Sequence, residues 1–220
     1  SRQYERNAIK ILTPVFKEWG NSVSWENLTE ANYEAQVNLS VSNQLMSDAY
    51  MRIYREIGSV HGARVGKSIN TQLKNFTLSN FNTLFESQIR AFFVRYGIER
   101  VVTVTETYKA SIVKLLKNRI ESGLTIVEAS REVQKIVGKS KFYRWQAMRI
   151  ARTETTASAN FGAIQSGEVS GFGVNEKFNV SGQMMDYPGD PDGSAGNVIN
   201  CRCTVAVVPA RDSNGDLIPT

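Results

Sequence analysis

The chain has 220 residues, of which 41% are hydrophobic and 21% charged, and its formal net charge is +5. These values are ordinary for a globular protein and exclude a collagen, a coiled coil or a disordered chain. One histidine and two cysteines are too few for a multi-histidine metal site or a disulfide framework. No apolar run approaches the roughly 18 residues of a membrane span, so no membrane partner is expected.

The first hundred residues carry helical patterns. An apolar stripe over residues 3–19 predicts a helix that breaks or kinks near Thr13, because Pro14 has no backbone N–H. Thr29 is a helix start signal, and the proline-free run after it predicts a long helix to about residue 64. A stripe rich in aromatic residues predicts another helix over residues 77–100.

The next segment combines a predicted break with three predicted helices. Residues 101–104 are a short β-branched run, and Thr105 is a candidate cap of a helix that ends at Gly123. The pair Thr125 and Glu128 fits a capping box, which predicts a helix up to Gly138. A third helix is predicted over residues 141–167.

After Gly167 the sequence is rich in glycine and proline, and two short strands are predicted, at 177–180 and 200–208. These strands would form one small sheet. The fold class is therefore predicted as α+β, with an extended helical region over residues 1–104, a compact α+β domain over 105–208 and a tail over 209–220.

Positive charge is concentrated in the middle of the chain. Residues 111–174 hold ten basic and five acidic side chains, a net charge of +5, whereas residues 175–220 have a net charge of −3. Such a band indicates either a polyanion or acidic partner, or a set of solvated helix faces. Its candidate DNA-binding residues are Lys139, Lys141, Arg144 and Arg149, and the aromatic residues between them, Phe142, Tyr143 and Trp145, are expected to face the core.

Arg152 and Glu154 lie two residues apart, on either side of Thr153, in the polar half of the third helix. They fit either half of an active site or a structural clamp, and the clamp is favoured. The expected partners are Arg202 and the aspartates of the 188–192 loop, since arginine binds carboxylates in a bidentate way. Arg152 and Glu154 are both expected to be buried. The acidic 186–192 loop itself is attributed to turn chemistry, because a calcium loop needs a different spacing.

Cys201 and Cys203 lie on one face of the second predicted strand. They supply half of a tetrahedral zinc site, for which His61 is the one histidine available. Alternatively, they are two small hydrophobic core residues. No cofactor is expected apart from this candidate zinc.

Six segments in this order resemble the C-terminal domain of the Mu-F-like phage head morphogenesis family, which are minor head proteins of tailed bacteriophages. The segments are 142–144 (FYR), 150–154 (IARTE), 159–160 (AN), 178–182 (FNVSG), 187–191 (YPGDP) and 200–203 (NCRC). The resemblance covers about residues 105–208. It adds Asn160 to the structural clamp, beside Arg152, Glu154, Asp190 and Arg202.

The resemblance implies a virion component inside the capsid near the portal, present in the host cytoplasm during assembly. The implied partners are the portal protein, packaged double-stranded DNA and a major capsid or scaffold protein, with residues 1–104 as the candidate docking region. The family usually carries a further segment, with a tryptophan and a histidine, where Val174 here meets Asn175. A spatial gap is expected there, and the absent histidine would join Cys201 and Cys203 as a third zinc ligand.

Three functions follow. The first is a structural virion protein that handles DNA and has no catalytic activity. The second is a nuclease or toxin-like enzyme that uses Arg152, Glu154 and the acids of the 186–192 loop. The third is a plain DNA-binding module. The first is favoured because the sequence offers no convincing acid–base pair.

Overall fold

A computed structural model of the chain describes residues 2–73, 76–171, 177–199, 201, 203–208 and 211–216. This part of the chain is mainly helical with one small antiparallel sheet. None of the described helices combines the length and the hydropathy needed to cross a membrane. The helices are α1 (Arg2–Ser22), α2 (Tyr33–Ser40), α3 (Asn43–Ile53), α4 (Ser59–Leu73), α5 (Leu78–Phe92), α6 (Ile98–Glu121), α7 (Ile126–Val137), α8 (Ser140–Val169) and α9 (Ala195–Val198), and the strands are β1 (Phe178–Val180) and β2 (Gln183–Met185).

Helix α1 runs through Pro14 without interruption, so the break predicted near Thr13 is absent. A proline inside a helix removes one backbone hydrogen bond and costs about 3 kcal/mol. The apolar stripe of α1 is fully buried at Leu12, Phe16 and Trp19. This burial offsets the cost, because each large apolar side chain contributes roughly 1.5–3 kcal/mol on leaving water.

The long helix predicted from Thr29 is divided. Helix α2 ends at Ser40, and α3 begins after Ser42, whose hydroxyl accepts a hydrogen bond from the Gln44 N–H at 3.1 Å. A π-helical turn over Tyr54–Gly58 then joins α3 to α4. A second π-helical turn, Phe93–Gly97, joins α5 to α6.

Residues 101–104 are helical, so the predicted β-branched break is wrong. They lie within α6, and Thr105 is buried inside that helix with its hydroxyl bonded to the Val101 carbonyl at 2.8 Å. Buried contacts at Val101 and Thr105 outweigh the weak strand preference of β-branched residues. By contrast, the capping box of Thr125 and Glu128 at α7 is confirmed, with both reciprocal hydrogen bonds present.

Helix α8 is the centre of the fold, and α1, α3, α4, α5 and α7 all pack against it. Three glycines, Gly58, Gly62 and Gly162, let α4 and the preceding π turn approach α8 closely. A Cβ atom placed on Gly162 would overlap the backbone of Gly58, and one on Gly62 would overlap the Gly162 carbonyl. The Ser166 hydroxyl donates to the Gly62 carbonyl across the same contact.

The predicted boundary at residue 104 falls inside α6. Two apolar clusters form the core, and each combines residues from both sides of that boundary. Trp19 and Ile112 share one cluster, and Phe81 and Phe161 share the other. The expected separation into an extended N-terminal region and a compact domain is therefore not seen in the part of the chain described.

The sheet is a hairpin of β1 and β2, in which Phe178 pairs with Met185 and Val180 with Gln183. Ser181 and Gly182 both have positive φ, 49° and 84°, the backbone twist that a two-residue hairpin loop needs. The second strand predicted at 200–208 is wrong, since residues 201 and 203–208 form no strand.

Candidate functional site

The two halves of α8 lie in different environments. The first half, residues 140–152, presents exposed cations to solvent beside α1. The second half, from Glu154 to Gly167, is buried except for Thr156. Several of its polar side chains bond to neighbouring elements. The first half forms a charged surface and the second a buried polar cluster.

Helices α1 and α8 run antiparallel. Gly20 lies against Val137, just before α8 begins, whereas Glu5 lies 4.0 Å from Arg152 at the far end of the exposed half. Between the two helices is a groove of about 550 Å³. Its lining consists of three cations from two helices, Arg6, Lys10 and Arg144, together with Ile9, Thr13 and Pro14.

On α1 the cations follow four-residue steps, a spacing that keeps residues on one face of a helix. On α8 Lys141 and Arg149 lie eight residues apart in one row, and Arg144 lies in the neighbouring row. We call the exposed cations of these rows the basic surface: Arg2, Arg6 and Lys10 of α1, and Lys141, Arg144 and Arg149 of α8.

All four predicted DNA-binding residues, Lys139, Lys141, Arg144 and Arg149, are exposed. Arg6 and Lys10 were not predicted as site residues. Their four-residue spacing is visible in the sequence, but their position beside Arg144 depends on the packing of α1 against α8. The expectation that the aromatic residues face the core is correct for Phe142 and Tyr143, which pack partly buried against it.

For Trp145 that expectation is wrong. Its side chain is 49% exposed, and the Arg149 guanidinium carbon lies 4.8 Å from the centre of its ring.

In the buried half, Glu154 is 4% exposed and forms an ion pair with Arg100 of α6. The Arg100 Nη1 atom lies 3.1 and 3.3 Å from the two carboxylate oxygens, and the Tyr54 hydroxyl donates to the same carboxylate at 3.4 Å. The Arg100 Nη2 atom donates to the Gly189 carbonyl at 3.4 Å. Arg100 therefore connects α8, the first π turn and the 186–192 loop.

The buried surroundings of Glu154 determine the protonation states of the neighbouring tyrosines and of Arg100. Burial, followed by the Glu154 carboxylate, raises the pKa of Tyr54 and of Tyr50 well above the ordinary value. Burial alone would lower the pKa of Arg100, but Glu154 and the surrounding tyrosines more than offset this and raise it. The tyrosines thus stay neutral and Arg100 stays charged at physiological pH, as a permanent partner of Glu154 requires.

Asn160 holds two segments against α8. Its side-chain amide donates to the Pro188 carbonyl at 2.6 Å and to the Cys203 carbonyl at 3.0 Å, and its oxygen accepts from the Val205 N–H at 3.0 Å. The amide thus takes the place of a neighbouring strand for the residues around Cys203. Two backbone groups of the segment are therefore paired although the predicted sheet is not formed.

Asp190 organises its own loop. It is 3% exposed and accepts hydrogen bonds from the N–H groups of Asp186 and Asp192, at 2.7 and 3.0 Å. The Tyr96 hydroxyl donates to Asp192 at 3.0 Å, which joins the loop to the second π turn. These contacts are the turn chemistry expected for residues 186–192.

Arg152 does not belong to this cluster, contrary to the expected clamp. Its side chain is 42% exposed and faces Glu5 of α1, because it lies on the α1 side of α8 while Glu154 faces α6. Glu154 reaches the loop through Arg100, which was not predicted as a site residue. Arg202 lies outside the described residues, as does the gap expected between Val174 and Asn175.

The cysteines differ from each other in exposure. Cys201 is half-buried, and burial raises the pKa of its thiol, whereas Cys203 is exposed and so is not a core residue. His61 packs edge-on against the Tyr4 ring, with centroids 5.9 Å apart. Within the described ranges no three histidine, cysteine, aspartate or glutamate side chains are grouped to hold a metal ion.

Comparisons of the chain with protein-family models, with curated proteins and with solved structures gave no match in any of the three.

Proposed function

We propose that the chain is a minor head protein of a tailed bacteriophage, which lies inside the capsid near the portal and binds packaged double-stranded DNA without reading its sequence. The observation that carries the DNA half of this proposal is the groove between α1 and α8, where Arg6, Lys10 and Arg144 converge. The virion half rests on the resemblance of residues 105–208 to phage head morphogenesis proteins.

The groove suits a phosphate backbone. Its three cations come from two rigid helices, and the rows of the basic surface extend it along both of them. Phosphate contacts of this kind set the position of a protein on DNA and carry no sequence information. A protein inside a capsid meets DNA of every sequence, so this mode of binding fits the task.

The buried half of α8 supports binding rather than catalysis. An acid–base residue must reach a substrate, but Glu154 is enclosed by Arg100 and Tyr54. Arg152 faces Glu5, and Asp190 is occupied by the N–H groups of its loop. The alternative, a nuclease or toxin-like enzyme built on these residues, requires that they share one open site.

The portal protein is the proposed protein partner, and a major capsid or scaffold protein is the second. Coexpression with the portal protein of the same phage tests this half. Copurification at a fixed ratio is expected, and two separate peaks in size-exclusion chromatography would contradict it.

The salt dependence of DNA affinity tests the proposed DNA binding. The logarithm of the affinity for a duplex should fall linearly with the logarithm of the salt concentration, equally for two unrelated sequences. The triple variant Arg6→Ala, Lys10→Ala and Arg144→Ala should bind the duplex at least tenfold more weakly at about 0.1 M salt. The slope of log affinity against log salt concentration should be smaller in magnitude by about 2–3. The matched control is Lys67→Ala, Arg90→Ala and Lys114→Ala, which removes three exposed cations from α4, α5 and α6.

Equal affinities of the two triple variants would contradict the DNA half of the proposal. Hydrolysis of the duplex by the wild type, lost in a folded Glu154→Gln variant, would favour the enzyme instead.

A further inference from the structure

Trp145 differs from the other two tryptophans of the chain. Trp19 and Trp25 are buried, with exposures of 0% and 5%, whereas Trp145 is 49% exposed in the middle of the basic surface. Lys141 lies one helical turn before it and Arg149 one turn after it. This large aromatic ring is exposed among cations, and it belongs to neither apolar core cluster of the described residues.

Arg149 fixes the orientation of the ring. Its guanidinium lies over the indole at 4.8 Å, a cation–π contact that restricts the ring and holds a positive charge beside it. A preordered ring loses less conformational entropy when a ligand packs on it. The ring and the cations together therefore present one apolar plane surrounded by sites for phosphates.

We propose that Trp145 is a stacking platform for an unpaired nucleobase, so that the basic surface binds single-stranded DNA or a frayed DNA end more tightly than its charge alone allows. This inference rests on the proposed DNA binding. Paired bases inside a duplex are already stacked on each other, so a ring on a helix surface gains a stacking partner only where a base is unpaired. Aromatic rings beside a basic groove are the usual means of binding single strands without sequence preference.

Two single strands of equal charge separate stacking from electrostatics. One is a 12-mer of deoxythymidine and the other a 12-mer of abasic nucleotides, which has the phosphates but no bases. The wild type should bind the thymidine strand roughly tenfold more tightly, since stacking on one aromatic ring contributes about that factor. Trp145→Ala should bind both strands equally, and Trp145→Phe should keep most of the difference.

Met148→Ala is the matched control, because Met148 is 41% exposed on the same face of α8 and has no ring. This variant should keep the preference for the thymidine strand. Unfolding midpoints of all variants should equal that of the wild type, since both side chains are exposed.

Fluorescence gives a second readout that needs no variant. Trp145 is the one solvent-exposed tryptophan, so the red-shifted part of the emission comes from it. The thymidine strand should quench this emission, and the abasic strand should leave it unchanged.

Equal affinity of the wild type for the two strands would contradict a stacking role of Trp145. So would a Trp145→Ala variant that loses the same factor of affinity for the thymidine strand and the abasic strand. If duplex binding with its salt dependence persists in that case, only this inference fails. If neither strand nor duplex binds at low salt, the proposed function fails with it.

Discussion

The two halves of α8 have a similar share of polar residues, but the first half is exposed to solvent and the second is buried. Residues 140–152 carry long cations whose charged ends remain in water. From Glu154 onward most side chains are small or polar, and almost all are buried. Key polar groups there bond to a specific neighbour: Glu154 to Arg100, Asn160 to Cys203 and Ser166 to Gly62. Polar content alone therefore does not distinguish a binding surface from a structural centre.

The difference predicts where substitutions act. Buried polar groups cost most when one partner is removed, because the other remains without solvent or a bond. Exposed cations are replaced at little cost in stability, usually within about 0.5 kcal/mol. Substitutions in the second half should thus affect folding, and substitutions in the first half should affect binding.

The largest effect is expected at Arg100. Replacement by methionine leaves the buried Glu154 carboxylate without its charged partner, so Arg100→Met should lower the free energy of unfolding by about 3–5 kcal/mol. Urea denaturation measures this. Arg55→Met is the control, because Arg55 and its partner Glu86 are each 47% exposed, and its cost should stay below about 1 kcal/mol.

A double variant sharpens this result. Adding Glu154→Gln to Arg100→Met removes the unpaired charge and should recover a large part of the lost stability. If the double variant is as unstable as the sum of the two single ones, the ion pair is not the source of the effect.

A smaller loss is expected from Gly162→Ala. The added methyl group would overlap the backbone of Gly58, which forces the first π-helical turn and α8 apart at a cost of about 1–3 kcal/mol. Gly196→Ala serves as the control, since a Cβ there has no neighbour within 4 Å. Equal thermal midpoints of the two variants would show that the close helix contact contributes nothing.

The smallest effect is a pH dependence through His61, which lies in neither half of α8. Burial, followed by the nearby Arg64, lowers the pKa of His61 in the folded chain. As the pH falls below about 6.5, the unfolded chain takes up a proton that the folded chain binds less readily, so the free energy of unfolding decreases. Above that pH, His61 is neutral in both states and its contribution to the free energy of unfolding is constant.

Urea unfolding midpoints at pH 7.5, 6.5 and 5.5 measure this pH dependence. The midpoint of the His61→Gln variant should fall less with pH than that of the wild type. A decline of the same size in the variant would assign it to other groups.

The features predicted correctly from the sequence are those that local patterns determine. The capping box at Thr125, the helix predicted over 141–167 and the exposed cations of that helix depend on residues close in sequence. Arg100 was missed because its role depends on Glu154 and Gly189, which only the fold brings near it. Residues 200–208 have the alternation of a strand, but Asn160 provides the bonds that a neighbouring strand would give, and periodicity cannot show this.

The proposed DNA-binding surface runs along α1 and the first half of α8. Lysine acetylation, followed by mass spectrometry with and without a duplex, tests it on the unaltered protein. Bound DNA should protect Lys10 and Lys141 of the basic surface severalfold. Lys67 of α4 and Lys114 of α6, which are also exposed, should keep their free acetylation rates. Protection of Lys67 and Lys114 with no change at Lys10 and Lys141 would contradict DNA binding along α1 and α8.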